Sequence, residues 1–148
     1  MDTNLVLVGA ALAIGLAGLG VTLGEGIVAK TSLDALGKNP DLAGIFKKIT
    51  ILGIALVESA AIYGLIMALL IIYSEATPFQ AIAAGLAIGL PGFAAGLGEG
   101  RVVASAIKSI LRNPGAEKEI TNSMILFIAL VESAAIYGLI VSLLILYK

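Results

Sequence analysis

The chain contains no cysteine, no histidine and no tryptophan among its 148 residues. Without cysteine there is no thiolate nucleophile and no disulfide framework. Without histidine there is no zinc site of the usual kind and no Ser-His-Asp triad. Charge is also scarce: 13% of residues are charged and 59% are hydrophobic. A soluble domain of this size carries about a quarter charged residues, so an ordinary cytosolic globule and a disordered chain are both excluded. The net charge of −1 gives no electrostatic reach toward nucleic acid. What is present is apolar length, with a mean hydropathy of +1.09, and the fold class it predicts is an all-α membrane protein.

About 20 apolar residues span a bilayer as a helix, and four such runs occur: residues 5–29, 49–73, 78–106 and 120–147. Each is apolar on every side instead of alternating at every second position, which predicts helices and not barrel strands. The start, Met1-Asp2-Thr3-Asn4, lacks a basic segment and the first run is too long for a signal peptide. Eight of the nine basic residues flank the two loops within the hairpins: Lys30, Lys38, Lys47 and Lys48 at the first, Arg101, Lys108, Arg112 and Lys118 at the second. The positive-inside rule then predicts cytoplasmic loops and outside termini. The turn between the hairpins, Ser74 to Pro78, carries no basic residue.

A shift of 74 residues aligns the two halves without a gap. Residues 54–66 read IALVESAAIYGLI, and residues 128–140 repeat the same thirteen letters. Also matched are Gly24-Glu25-Gly26 with Gly98-Glu99-Gly100 and Asn39-Pro40 with Asn113-Pro114. The chain therefore reads as two tandem hairpins, residues 1–74 and 75–148. Each has two spans, so the repeats run parallel and not inverted. The halves differ at Val21-Thr22-Leu23 against Ala95-Gly96-Leu97 and at Gly53 against Phe127. The strict identity around Glu58 and Glu132 is not what packing alone predicts, since apolar positions tolerate swaps.

Four carboxylates fall inside the spans: Glu25, Glu58, Glu99 and Glu132. An ionised carboxylate in hydrocarbon costs at least about 2.5–3.5 kcal/mol, which marks such residues as functional candidates. The alternative, a neutral Glu serving as interhelical hydrogen-bond glue, fits one isolated Glu better than four at matched positions. From Pro40 to Glu58 is 18 residues, about 27 Å of helix, which places Glu58 well inside the bilayer. The separations 25 to 58 and 99 to 132 are both 33 residues, so each antiparallel hairpin sets its two Glu at similar depth. Ser59 and Tyr63 lie close after Glu58, as Ser133 and Tyr137 do after Glu132. Two carboxylates, a hydroxyl, a phenol and nearby carbonyls suit a hard cation. Two Glu at close range cannot both stay charged in a low dielectric, so a site loaded with a monovalent ion is expected to hold one neutral and one ionised Glu.

The first and third spans carry small residues at spacings of two and four: Gly18, Gly20, Thr22, Gly24 and Gly26, then Gly92, Ala94, Gly96, Gly98 and Gly100. Such faces let helix backbones approach closely in membranes. Simple hairpin closure would use one such face; a stripe this wide predicts several helices crowded around a common axis. Gly-Glu-Gly lies mid-span with no following Lys or Ser/Thr, so it is not a phosphate loop.

Together the glycine stripes, the loop turns Lys38-Asn39-Pro40 and Arg112-Asn113-Pro114 and the VESAAIYGL segments resemble the rotor-ring proteolipid of rotary ATPases, known as the c-type proteolipid in F-type enzymes and the K-type proteolipid in V/A-type enzymes. The resemblance covers essentially the whole chain. It implies a homo-oligomeric ring in membrane lipid, with stripe helices inside and carboxylate helices outside. It implies a stator partner that loads and unloads ions, and central-stalk partners that grip the loops. By resemblance Glu58 and Glu132 carry the ion, Glu25 and Glu99 match the second side-chain ligand of sodium-binding members, and Ser59 and Ser133 match the coordinating hydroxyl. Tyr63 and Tyr137 match the phenol that holds the carboxylate closed, and the carbonyls of Leu56 and Leu130 a further ligand. Sites form where neighbouring hairpins meet, so ligands are shared between repeats and between protomers. Sodium is the expected ion, with two sites per protomer, and H⁺ is the alternative. Ala60 and Ala134 stand where many sodium-binding members carry a water-holding Thr. The expected location is the inner or plasma membrane of a prokaryote. A small channel or secondary transporter would show broken helices or inverted repeats, and a scaffold would leave the four Glu unexplained. No constellation for covalent catalysis is present, so ATP chemistry is expected in partner proteins of the complex.

Overall fold

The computed structural model describes residues 3–148. Met1 and Asp2, which belong to the N-terminal segment and to the first hairpin's expected range, lie outside the described residues. Five α-helices follow one another: α1 (Thr3–Lys38), α2 (Ala43–Val57), α3 (Ser59–Tyr73), α4 (Pro78–Arg112) and α5 (Glu117–Leu146). Short 3₁₀ turns at Pro40–Leu42 and Pro114–Ala116 close the hairpins. Counting α2 and α3 as one rod, the described residues form four helices long and apolar enough to cross a membrane: Leu5–Lys38, Pro40–Tyr73, Pro78–Arg112 and Pro114–Leu146.

The helices outrun the apolar spans. α1 continues to Lys38 and α4 to Arg112, whereas hydropathy alone ends those spans at 29 and 106. The added turns hold charged residues such as Lys30, Asp34 and Lys108. Apolarity marks only the part of a helix in hydrocarbon, whereas helical hydrogen bonding continues until a breaker intervenes. The breakers are Asn39-Pro40 and Asn113-Pro114. A residue before proline is pushed out of the helical region, and Asn39 (φ −145°, ψ 85°) and Asn113 (φ −140°, ψ 82°) both obey. Lys38 and Arg112 sit in the last turns, where a cation complements the helix dipole. At the other end Thr77 caps α4 in a reciprocal box with Gln80.

α2 and α3 are separated only by Glu58, whose backbone is still helical (φ −59°, ψ −27°). The Glu58 N–H donates to the Ile54 carbonyl at 3.0 Å and the Ile62 N–H to the Glu58 carbonyl at 3.2 Å. The irregularity is therefore local and not the unwound break of a transporter helix; the matched position Glu132 lies inside the uninterrupted α5.

The two glycine-striped helices pack on each other more extensively than any other pair. α3 lies against α1, and α5 lies against α4. The result is two hairpins side by side, striped helices in one layer and carboxylate helices in the other. A Cβ on Gly20 would fall on the Phe93 backbone, and one on Gly100 would fall on Gly24. Only residues without side chains permit that approach. In each hairpin the two layers close through a glycine that the repeat shares: Gly64 lies over the Ala13 carbonyl and Gly138 over the Ala87 carbonyl. Pro91, which has no N–H to give, leaves the Ala87 carbonyl without its helical donor. Part of the identity of the thirteen-letter segments is thus packing after all, since Gly64 and Gly138 both need to be glycine. Ser142 adds a buried hydrogen bond to the Ala84 carbonyl at 2.6 Å. Outward faces stay apolar, with Leu65, Leu69, Ile72, Leu144 and Tyr147 exposed. Tyr73 and Tyr147, 85% and 69% exposed, end the carboxylate helices as interfacial aromatics do.

Candidate functional site

Each inner carboxylate faces an outer one. Glu25 on α1 sits close enough to Glu58 for their charges to interact. Glu99 on α4 stands in the same relation to Glu132 on α5. The antiparallel hairpin explains both pairs, since matched separations along the chain become matched depths.

The third group comes from the other hairpin. The Tyr63 hydroxyl donates to Glu132 Oε1 at 2.6 Å, across 69 residues. Although Tyr63 is only five residues from Glu58 in sequence, the helix carries its phenol toward the second hairpin. Ser59 lies beside the same phenol, and Glu99 is within reach of its charge. One cluster therefore joins Ser59 and Tyr63 of the first hairpin to Glu99 and Glu132 of the second.

The two serines are held alike in their helices. Ser59 Oγ donates to the Leu56 carbonyl and Ser133 Oγ to the Leu130 carbonyl, both at 2.8 Å. Each hydroxyl thus keeps its lone pairs free and is held beside the carbonyl named with it.

The two carboxylate pairs differ in enclosure. Glu99 is 0% exposed, and neither of its carboxylate oxygens has a hydrogen-bond partner. A buried carboxyl without a partner is costly, so this spot calls for a proton or a cation. Glu25 is half-buried and Glu58 is exposed. Tyr137, the counterpart of Tyr63, is 64% exposed, and Leu130 is 63% exposed. Among the described residues no three acidic side chains cluster, so any cation here would rest on two carboxylates and neutral oxygens.

The glycines divide in the same way. Gly20, Gly24, Gly92, Gly96 and Gly100 are used between α1 and α4, while Gly98 faces Val131 of its own hairpin. Gly18 and Gly26 have nothing nearby. The loop residues Lys38, Asn39, Pro40, Arg112, Asn113 and Pro114 gather at one end of the bundle. Lys48 and Glu117 meet there at 3.5 Å and tie the hairpins together.

Four membrane-spanning helices, with acidic groups paired between them and one pair joined by a phenol from the adjacent hairpin, define a multi-pass membrane protein built of two helical hairpins. Two segments, residues 8–71 and 82–145, each match the profile of the ATP synthase C subunit. The chain belongs to the ATP synthase C-subunit family. It is 33% identical over 141 residues, 94% of its length, to the K subunit of the A-type ATP synthase of Methanocaldococcus jannaschii. It spans 60% of that relative's length. One hairpin's length, 69 residues or 47% of the chain, is 41% identical to the ATP synthase c subunit of Syntrophobacter fumaroxidans, covering 77% of it. A 66-residue stretch is 47% identical to the chloroplastic ATP synthase c subunit of Oedogonium cardiacum, covering 80% of that protein and 45% of this chain.

Proposed function

We propose that this chain is the rotor-ring component of a rotary ATP synthase or ATPase and carries Na⁺ on its carboxylate pairs, two sites per chain. The observation that supports it best is the Tyr63–Glu132 hydrogen bond beside the unpartnered Glu99. In this reading Glu132 is the carrier and Glu99 the second ligand, with Ser59 Oγ and the Leu56 carbonyl as neutral oxygens. A monovalent ion balances one of the two negative charges, so the pair holds one proton as well. Tyr63 keeps the loaded carboxylate turned inward, and the stator releases it by offering a competing partner. The second site uses Glu25 and Glu58 of one copy with Ser133, Tyr137 and the Leu130 carbonyl of a neighbouring copy. The hairpin loops face the cytoplasm of a prokaryote and contact the central stalk, and ATP is handled elsewhere in the complex.

Proton transport on the same scaffold is the second reading, favoured by Ala60 and Ala134, which leave no hydroxyl to hold a coordinating water. Carbodiimide labelling of the detergent-extracted ring separates the two. Added Na⁺ at neutral pH is expected to slow modification of Glu58 and Glu132. Modification indifferent to Na⁺ would leave H⁺ as the ion.

A further inference from the structure

The repeat makes the structure a template for its own continuation. If the second hairpin meets the first hairpin of another copy in the same way, a contact between the hairpins of one chain recurs there 74 residues away wherever the two halves match. This step rests on the ring function proposed for the chain.

Three observations bear on such a neighbour. On the first hairpin, Thr31, Ala35, Phe46 and Ile49 are buried, in or beside the core that α4 completes with Val103, Ile107 and Ile110. Their counterparts on the second hairpin line an open groove of about 360 Å³ that includes Ser105, Ser109, Ile120, Ser123 and Phe127. The residues matching Val103, Ile107 and Ile110 are Ala29, Leu33 and Leu36; the two leucines are 69% and 37% exposed. Knob and groove sit on opposite sides of one chain, as head-to-tail closure requires.

The places where the halves differ say how this second seam is built. Within the chain a Cβ on Gly53 would strike the Val103 side chain. The positions 74 residues away are Phe127 and Ala29, so large and small have changed sides there. Within the chain a Cβ on Gly96 would lie 2.7 Å from the Val21 nitrogen and 2.8 Å from its Cα. Between copies Thr22 takes the place of Gly96 and Ala95 that of Val21. Gly20, tight on the Phe93 backbone, is replaced by Ala94 opposite Leu19. Two real β-carbons thus occupy places where the in-chain seam has room for none. The backbones there must stand apart by about 1 Å more to reach ordinary contact distance. The larger Phe127 fills the added width on the outer side. The ion pair Lys48–Glu117 also has no counterpart, since Asn122 and Ala43 stand at those positions.

We propose that α1 of a second copy fills the groove of the second hairpin, with Ala29 against Phe127 and Thr22 against Ala95, and that the resulting ring alternates a narrow seam inside each chain with a wider seam between chains. The Glu99–Glu132 pair lies on the narrow seam. The Glu25–Glu58 pair lies on the wide one, one turn from Thr22, and is the more open of the two.

The cysteine-free sequence makes the test direct. The pair Ala29→Cys and Phe127→Cys should give a ladder of disulfide-linked oligomers in the membrane-embedded protein. The pair Gly53→Cys and Val103→Cys should close within one chain and give no ladder. A ladder from the second pair and none from the first would overturn the assigned partners. An electron cryo-microscopy map of the extracted ring should show α1–α4 spacing about 1 Å smaller within chains than between them. A ring with uniform spacing overturns the alternation and leaves the rotor function standing; the absence of annular particles overturns both. Ala29→Val should lower ring yield by setting Val against Phe127, and adding Phe127→Gly, which transplants the in-chain pair, should restore it. Failure of that rescue also counts against the pairing.

Discussion

Replacing Tyr63 by Phe isolates one hydrogen bond with almost no change in volume. The bond is short, 2.6 Å from the phenol to Glu132 Oε1. Hydrogen bonds to charged groups contribute about 1.5–3 kcal/mol. Interhelical hydrogen bonds inside membranes average nearer to about 0.6 kcal/mol, so about 1.5 kcal/mol is the fair expectation here. At about 1.4 kcal/mol per decade, Glu132 should be free of its partner roughly ten times more often. The readout is the rate of carbodiimide modification at each Glu, followed by mass spectrometry of the extracted ring. Glu58 and Glu132 lie in identical thirteen-residue segments, but Gly53 precedes one and Phe127 the other, so the fragments are separable by mass. Tyr63→Phe should speed modification of Glu132 about tenfold and leave Glu58 unchanged. Tyr137→Phe should do the reverse, acting on Glu58 of the neighbouring copy. If Tyr63→Phe accelerates Glu58 instead, each phenol serves its own hairpin and the cross-hairpin assignment is wrong.

Other substitutions probe the packing. Gly24→Val drives a side chain into the Gly96 backbone and should cost about 1–3 kcal/mol, seen as a lower melting temperature of the chain in detergent. Gly26→Val meets nothing within the chain, so it should preserve the chain's helical content and melting while blocking assembly on a native gel. Ser142→Ala removes the buried bond to the Ala84 carbonyl and should lower stability by about 0.5–1.5 kcal/mol by the same thermal assay. Lys48→Gln breaks an ion pair whose lysine is 70% exposed. It should shift stability by no more than about 1 kcal/mol, and that shift should fade as salt is raised.

The class of molecule and its internal symmetry are legible in the linear chain. Hydrocarbon offers no partner for a free peptide group, so a span is either a helix or a strand of a closed barrel, and four long runs that are apolar on every side read as helices. The 74-residue repeat and two spans per half impose parallel hairpins. Glu25, Glu58, Glu99 and Glu132 are conspicuous because charge in hydrocarbon is expensive, and proline after asparagine marks both loops. Helix ends are less legible, since hydropathy fades at the membrane surface while α1 and α4 run on to Lys38 and Arg112.

Which copy of a repeated residue serves which partner is settled in three dimensions alone. Tyr63 and Tyr137 are identical in their local sequence, yet one is bonded to Glu132 and the other is exposed. Gly18 and Gly92 are counterparts, yet only Gly92 is covered. A linear repeat assigns both members the same role. Once two hairpins pack side by side, one flank of each is spent on the other and the opposite flanks remain for neighbours. Helix rotation and register set that division, and they follow from the fit of side chains such as Val21 into Gly96 and Val103 into Gly53.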